Sequence, residues 1–135
     1  PRTSVMSNGK EIIGGKLVIN GRTLSLSKAV RAGDMVYLTG QIPMKDGAVM
    51  TEGTIEDQTR NVLDHITATL AEAKCERSHV VKAMIWLRDR ADFPGFNEVY
   101  AEYFPSEPPA RSAVISELLV DVRVEIEVVA YSPAG

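Results

Sequence analysis

Residues 78–89 read SHVVKAMIWLRD, and this stretch decides how the fold is interpreted. Its apolar character is nearly continuous, which is typical of a strand in the interior of a sheet. Helical patterns with an apolar stripe lie on either side of it, in residues 54–73 and 92–104. The stretch therefore predicts a central strand between two helices.

The helix before this strand is expected to begin at Thr54. A threonine three residues before Asp57 resembles the capping arrangement that starts many helices. In the following stretch, IEDQTRNVLDHITATLAEA (55–73), Val62, Ile66 and Leu70 recur at spacings of four and form one apolar stripe.

The second helix follows Asp92, which is expected to cap it. Its sequence, FPGFNEVYAEYF (93–104), places four aromatic side chains on one face: Phe93, Phe96, Tyr100 and Tyr103. Both helices therefore have an apolar side that can pack on a sheet.

The remaining strands lie at the two ends of the chain. KLVINGRTLSL (16–26) alternates around Asn20-Gly21, which predicts a tight hairpin. Turns are expected at 32–34 and at KDGA (45–48), and two strands near Ser112–Glu117 and Arg123–Tyr131 close the chain. This order predicts an α+β sandwich in which two helices pack on one face of a mixed sheet. The other face needs cover, and an oligomeric partner is one solution.

Length and composition limit the classes of protein. We interpret the 135 residues as one domain, 1–135, with residues 1–12 as a flexible tail. The net charge of −3 argues against nucleic acid as a partner. No apolar run is long enough for a membrane helix, so no membrane association is expected. The single cysteine, Cys75, favours a reducing, cytoplasmic location, and no residues have the spacing of a metal site.

Arg111 is the first candidate for a functional residue. It stands in PPARSAV (108–114), between a proline-alanine run and small or β-branched residues. An arginine cannot lose its charge, and burying that charge without a partner is costly. Two alternatives follow: a structural ion pair with one of the chain's own acids, or a two-point contact with the carboxylate of a ligand.

Glu125 is the second candidate. In VEIEVVA (124–130), Glu125 and Glu127 alternate with valine and isoleucine, so both carboxylates lie on the face opposite the apolar side chains. They are either ordinary surface acids or groups close to a bound anion. Because this strand directly follows the strand of Arg111, we expect the two strands to pair, although the sequence does not give their register.

Four stretches together carry a family resemblance: PPARSAV (108–114), VEIEVVAY (124–131), RAGDMVYLTGQIP (31–43) and DFPGFNEVYAEYF (92–104). With these stretches the chain resembles the Rid/YjgF family, the reactive intermediate deaminases, sometimes labelled L-PSP endoribonucleases. The resemblance runs from about Leu26 to Tyr131. It implies a chorismate-mutase-like α+β fold, assembled as a homotrimer with three clefts between subunits, which would cover the open sheet face.

The resemblance also implies roles for individual residues. Arg111 would hold the carboxylate of a 2-imino or 2-amino-enoic acid, and Glu125 would help to position the attacking water. The residues expected to line the cleft are Gly40, Gln41, Phe93 and Asn97. The implied reaction is hydrolysis of an imine or enamine to a 2-oxo acid and ammonium, with neither metal nor cofactor.

The chain departs from the family pattern at two of the expected cleft positions. Leu26, in LSLS (24–27), stands where the family often has a tyrosine, and Ala113 stands where it often has a cysteine. The segment between Arg111 and Glu125 also looks one residue shorter than usual. These changes make the cleft more apolar and favour a bulkier or more apolar ligand.

The residues and the resemblance together lead to three possible functions. The leading hypothesis is a trimeric deaminase of carboxylate-bearing imines or enamines. The alternative is a non-catalytic trimer that binds small carboxylic acids, such as 2-oxo acids, as a sensor or partner protein. A ribonuclease follows only from a label used for relatives, and the negative net charge argues against it.

Overall fold

The structure, a computed structural model, describes residues 9–133 and contains a six-stranded mixed sheet with two helices on one face. The strands of the sheet are β1 (Glu11–Ile19), β2 (Arg22–Ala32), β3 (Met35–Leu38), β6 (Val80–Leu87), β7 (Ala110–Ile115) and β8 (Val124–Tyr131). Their order is β1-β2-β3-β8-β6-β7, while β4 (Met44–Lys45) and β5 (Ala48–Val49) form a separate hairpin. The predicted α+β fold is confirmed.

The core lies between the sheet and the helices α1 (Ile55–Glu72) and α2 (Phe93–Tyr103). The stripe predicted for α1 faces the sheet, and Val62, Ile66 and Leu70 are fully buried. Alternate residues of β6 and β8 meet the helices: Ala83, Ile85, Leu87, Val124, Ile126 and Val128. Burial of each large aliphatic side chain contributes about 1.5–3 kcal/mol. The core therefore fixes β6, which pairs with the strand of Arg111, and β8, which contains Glu125.

Strand β6 lies in the interior of the sheet, as predicted, between β8 and β7. Its burial nevertheless alternates, because Met84 and Trp86 point to the face opposite the helices and are only half-buried. Within residues 9–133 no second layer covers this open face, which includes large apolar side chains that are 44–50% exposed: Ile12, Tyr37, Val114 and Tyr131. The predicted need for cover is therefore visible in the structure.

The local turn and capping signals are confirmed. Asn20 and Gly21 have φ angles of 52° and 78°, as a two-residue hairpin turn requires. At the start of α1, the Thr54 hydroxyl accepts from the Asp57 backbone N–H and the Asp57 carboxylate accepts from the Thr54 N–H, both at 3.1 Å. This reciprocal pair fixes the first turn of the helix.

Three predictions of local structure need correction. Asp92 precedes α2, but its carboxylate accepts from Arg123 at 3.1 Å and does not cap the helix. Residues 11–12 belong to β1, so the predicted tail is too long there, and residues 1–8 lie outside the described residues. The strand predicted at Ser112–Glu117 begins at Ala110, because pairing with β6 already starts there.

The predicted pairing of the strands of Arg111 and Glu125 is wrong. β7 pairs in parallel with β6 alone, while β8 pairs with β3 and with the other edge of β6. The reason is the connection through α2, which carries the chain across the sheet and returns β7 parallel to β6. β8 then fills the position between β3 and β6. Consecutive strands are therefore not neighbours here.

The described part of the chain has no helix with the length and apolar character needed to cross a membrane. Over the same residues, no three His, Cys, Asp or Glu side chains form a group that could hold a metal ion. Both histidines have local hydrogen bonds: His65 donates to the Met44 carbonyl at 3.0 Å, and His79 accepts from the Glu76 N–H at 2.9 Å. The imidazoles are thus part of the local structure.

Candidate functional site

Arg111 lies at the start of β7 and points to the helix face of the sheet. Pro108 and Pro109 bring the chain in extended form, and Arg111 is the register partner of the buried Ala83 of β6. Partners in a sheet point to the same face, so the arginine side chain is directed at α2. Its side chain therefore meets the aromatic face predicted for that helix.

Three aromatic rings surround the guanidinium of Arg111. Its Cζ atom lies 4.8 Å from the ring centroid of Tyr100, 5.6 Å from that of Phe96 and 5.9 Å from that of Phe93. The closest of these contacts, with Tyr100, contributes roughly 0.5–1 kcal/mol at an exposed site, and the two longer ones contribute less. The rings hold the guanidinium in place without neutralising its charge.

No carboxylate among residues 9–133 forms an ion pair with Arg111. The residue is exposed in a single copy of the chain and has no hydrogen-bond partner among the described residues. The first alternative for this arginine, a structural ion pair, thus has no partner in the described structure. The charge is available to an anion from outside the chain.

A cleft of about 340 Å³ opens beside Arg111. Its lining consists of the following residues: Asn97, Tyr100, Ala101, Phe104, Pro108, Pro109 and Arg111. Asn97, which was predicted to line the site, is among them, and Phe93, also predicted, contacts the guanidinium. One cation and one amide therefore stand at a mainly apolar cavity, which is the usual character of a small-molecule site.

Two residues that line this cleft have a buried polar atom without a hydrogen-bond partner in residues 9–133. These atoms are the side-chain Oδ1 of Asn97 and the hydroxyl of Tyr100. Burial raises the pKa of Tyr100, and the nearby charge of Arg111 only partly offsets this rise. Tyr100 therefore remains a neutral hydrogen-bond donor. Buried polar groups nearly always have hydrogen-bond partners, so these two atoms make the cleft a candidate ligand site.

Glu125 lies in β8 on the open face of the sheet. Burial, and secondarily the charge of Glu127, raise the pKa of its carboxyl group above the ordinary value. Gly40 lies against it, because a Cβ atom at that position would clash with the Glu125 carboxylate. The backbone of Gln41 exchanges hydrogen bonds of 2.8 and 3.0 Å with Ile126. The strand end at 40–41 and Glu125 thus lie next to each other in the sheet.

Arg111 and Glu125 lie on opposite faces of the sheet. Arg111 is aligned with Ala83 and Val128, and Glu125 is three residues further along β8. Two strand spacings and three residues separate their Cα atoms by about 14 Å. One copy of the chain therefore presents two candidate half-sites: an Arg111 half-site with Asn97 and Phe93, and a Glu125 half-site with Gly40 and Gln41.

A model of the family described as Endoribonuclease L-PSP matches residues 22–132. The chain belongs to this family. It is the Rid/YjgF family indicated by the sequence resemblance, since solved structures of similar fold carry both of those names.

Individual members of the Endoribonuclease L-PSP family are similar over most of the chain. A RutC family protein of Pyrococcus horikoshii is 46% identical over 108 residues, which are 78% of this chain and 85% of that protein. Reactive Intermediate Deaminase A, chloroplastic, of Arabidopsis thaliana is 38% identical over 77% of this chain and 57% of its own length.

Solved structures are also similar to this protein over most of the chain. The crystal structure of yeast Mmf1 has a TM-score of 0.83 and 33% identity, covering 91% of this chain and 98% of that one. The Rid family protein YyfA of Yersinia pestis has a TM-score of 0.82 and 34% identity, covering 90% and 98%.

The two positions at which this Endoribonuclease L-PSP family member departs from the expected pattern lie on different strands of the sheet. Ala113 is two residues after Arg111 on β7, points to the same face and is exposed. Leu26 is half-buried in β2, next to Ser27, whose carbonyl accepts a 2.6 Å hydrogen bond from the Thr39 hydroxyl. Leu26 is therefore close in the fold to the strand end at Gly40, and neither residue supplies a polar group.

Sequence reasoning did not assign Tyr100 to the site. The sequence pattern places Tyr100 on an aromatic face that packs on the sheet. The residue is indeed buried, with only 6% of it exposed. The signal that could have placed it was its spacing of three from Asn97, because such residues share a helix face. The unpaired hydroxyl became visible only in the structure.

Proposed function

We propose that this protein is a deaminase that hydrolyses a reactive 2-imino acid, or its enamine tautomer, to a 2-oxo acid and ammonium. The observation that carries the proposal is Arg111, a cation without a carboxylate partner in residues 9–133, at a cleft with an unsatisfied amide oxygen on Asn97. Family membership supports it, since the Arabidopsis relative is named a Reactive Intermediate Deaminase.

Arg111 and Asn97 would orient the substrate. The planar guanidinium matches a carboxylate in a two-point contact, and the aromatic rings restrict its movement. The free Oδ1 of Asn97 can accept a hydrogen bond from the N–H of an imine next to that carboxylate. Fixing both groups positions the imine carbon for attack by water.

Glu125 would move the protons. The carboxylate takes a proton from water while the water oxygen bonds to the carbon of the protonated imine, whose C=N electron pair moves to nitrogen and gives a carbinolamine. The carboxyl group returns that proton to the amino nitrogen, and the C–N bond breaks with its electron pair leaving on ammonia. The C=O bond forms as the hydroxyl proton passes to the Glu125 carboxylate and from there to ammonia, so that the products are the 2-oxo acid and ammonium. The raised pKa of Glu125 suits this exchange, because a carboxyl that titrates nearer to neutral pH gives up and accepts a proton more evenly.

A homotrimer with clefts between its copies would combine the two half-sites. Arg111 and Glu125 lie on opposite faces of one sheet, about 14 Å apart, so a single copy cannot present both to one small molecule. In a closed ring each copy offers one surface to the next, so Arg111 of one copy can meet Glu125 of its neighbour. Such an assembly would also cover the apolar open face.

We expect the purified protein to accelerate imine hydrolysis about 10²–10⁴-fold over buffer, the usual contribution of a positioned acid–base group. An amino-acid oxidase generates 2-iminopropanoate or 2-iminobutyrate in place, and the loss of imine is followed with time. The control is the same mixture with heat-inactivated protein. If no imine of any side chain is hydrolysed faster than in the control, the deaminase proposal is wrong.

Gly40→Ala is expected to lower turnover about 10–100-fold, because a displacement of about 1 Å at a catalytic group is enough for such a loss. A Cβ atom at position 40 would lie 3.3 Å from the Glu125 Cδ and closer still to its carboxylate, so the side chain must turn away. The backbone φ of Gly40 is not in the left-handed region, so the thermal unfolding temperature should change little. A variant with unchanged kcat would show that the Glu125 carboxylate is not needed in its present position.

The alternative function is a trimer that binds small carboxylic acids without turnover. It is favoured by Leu26 and Ala113, which remove two polar groups that the resemblance leads one to expect. Calorimetry separates the two functions: binding of a 2-oxo acid that depends on Arg111, in a protein that does not hydrolyse imines, would support the binder.

We further propose a reducing compartment such as the cytoplasm. The support is the chain's single cysteine, Cys75, which is buried and free. Fractionation of the source cells, with antibody detection of the protein, tests this location.

A further inference from the structure

Most of the wall of the Arg111 cleft is apolar. Helix α2 contributes Tyr100 and Ala101, the residue after it contributes Phe104, and the segment before β7 contributes Pro108 and Pro109. Arg111 is the only charged residue in the lining that the described residues supply. The cleft therefore has one charged end, the polar groups of Asn97 and Tyr100, and an otherwise apolar wall.

The chemistry of the ligand decides which part of it meets this wall. The carboxylate and the nitrogen of a 2-imino acid are on adjacent carbons, and the proposed function assigns them to Arg111 and Asn97. The rest of the lining is then left for the side chain of the substrate. An apolar side chain gains about 25 cal/mol for each Å² removed from water, whereas a polar one loses hydration where it lies against the apolar residues of this wall.

We infer that the protein selects 2-imino acids with large apolar side chains, such as those formed from branched-chain or aromatic amino acids, over small or polar ones. This inference rests on the proposed function and names its substrate class. Phe104 and Pro109 form the wall for the side chain, and Ala101 leaves room for it. Leu26 and Ala113 stand where the family often has a tyrosine and a cysteine. These apolar side chains also favour an apolar substrate.

The first experiment compares ligands whose side chains differ in size and polarity. Calorimetry measures the affinity of the protein for 2-oxopropanoate, 2-oxobutyrate, 4-methyl-2-oxopentanoate and 2-oxoglutarate, and kcat/KM is measured for the imines of alanine, leucine and glutamate. One methylene group in an apolar pocket changes discrimination about 10-fold or more, so the leucine-derived ligands should exceed the alanine-derived ones at least 10-fold. Equal values, or a preference for alanine- or glutamate-derived ligands, would overturn the inference.

The two readouts keep the two proposals apart. Absence of turnover for every imine contradicts the deaminase, while the order of the 2-oxo acid affinities still tests the apolar wall. Turnover without size preference contradicts the inference and leaves the deaminase intact.

The second experiment fills the cleft. Ala101→Leu adds volume at an exposed helical position that tolerates leucine, so the fold should be kept. Affinity for 4-methyl-2-oxopentanoate should fall about 10-fold or more, while that for 2-oxopropanoate is nearly unchanged. Ala48→Leu, the same change at an exposed position of β5 outside this cleft, is the matched control and should leave both affinities unchanged. If Ala101→Leu leaves the order of affinities as it was, the side chain of the ligand does not lie against this wall.

Discussion

Arg111→Ala is expected to abolish the binding of small 2-oxo acids and to leave the stability of the fold nearly unchanged. A two-point contact contains two charge-assisted hydrogen bonds of about 1.5–3 kcal/mol each, so the affinity should fall at least 100-fold. The stability effect is small because Arg111 is exposed and has no ion pair among residues 9–133. The free energy of unfolding loses only the ring contacts, about 1 kcal/mol.

Two further variants serve as comparisons for Arg111→Ala. Arg111→Lys should recover little affinity, because an ammonium group is a point charge and cannot make the two-point contact. Arg60→Ala is the matched control: its guanidinium is also exposed, but Glu102 already binds it at 2.8 Å, and the loss should not affect ligand affinity. Calorimetry gives the affinities, and denaturant unfolding gives the stabilities. A loss of stability as large as that of a core truncation would assign Arg111 a structural role instead.

The elements set by local signals were predicted well from the sequence. The start of α1 depends on Thr54 and Asp57, which are three residues apart, and the first hairpin depends on two adjacent residues, Asn20 and Gly21. Such signals involve only neighbours along the chain, so the sequence contains them in full. Even here a side chain can find a better partner elsewhere, as Asp92 does in Arg123.

The arrangement of the candidate site could be predicted only in part. The sequence singled out Arg111 and Glu125 and assigned the correct face to Glu125, because alternation along a strand is a local property. Their relative position was wrong, because it depends on β7 returning parallel to β6 and on β8 entering between β3 and β6. Long-range order of this kind follows from the packing of the whole sheet and has no signature within either strand.

Under the proposed function, the separation of Arg111 and Glu125 on opposite faces of the sheet would make assembly a condition for activity. Glu125→Gln should lower kcat about 10²–10⁴-fold, since the amide keeps the size of the side chain but cannot exchange the proton. Arg111→Ala should be inactive for the reason given above. Neither variant alters the core, because Glu125 lies on the open face and Arg111 is exposed. Each should form the same assembly as the wild type, which light scattering can verify.

Unfolding and refolding the two inactive variants together in equal amounts should restore activity. If each cleft takes Arg111 from one copy and Glu125 from the next, then in randomly mixed rings about one quarter of the clefts receive both intact residues. The mixture should therefore recover about a quarter of the wild-type kcat, while each variant refolded alone stays inactive. If both residues acted from the same copy, every cleft would lack one of them and mixing would restore nothing. An inactive mixture of verified mixed assemblies would thus contradict the shared cleft, and with it the proposed pairing of Arg111 and Glu125.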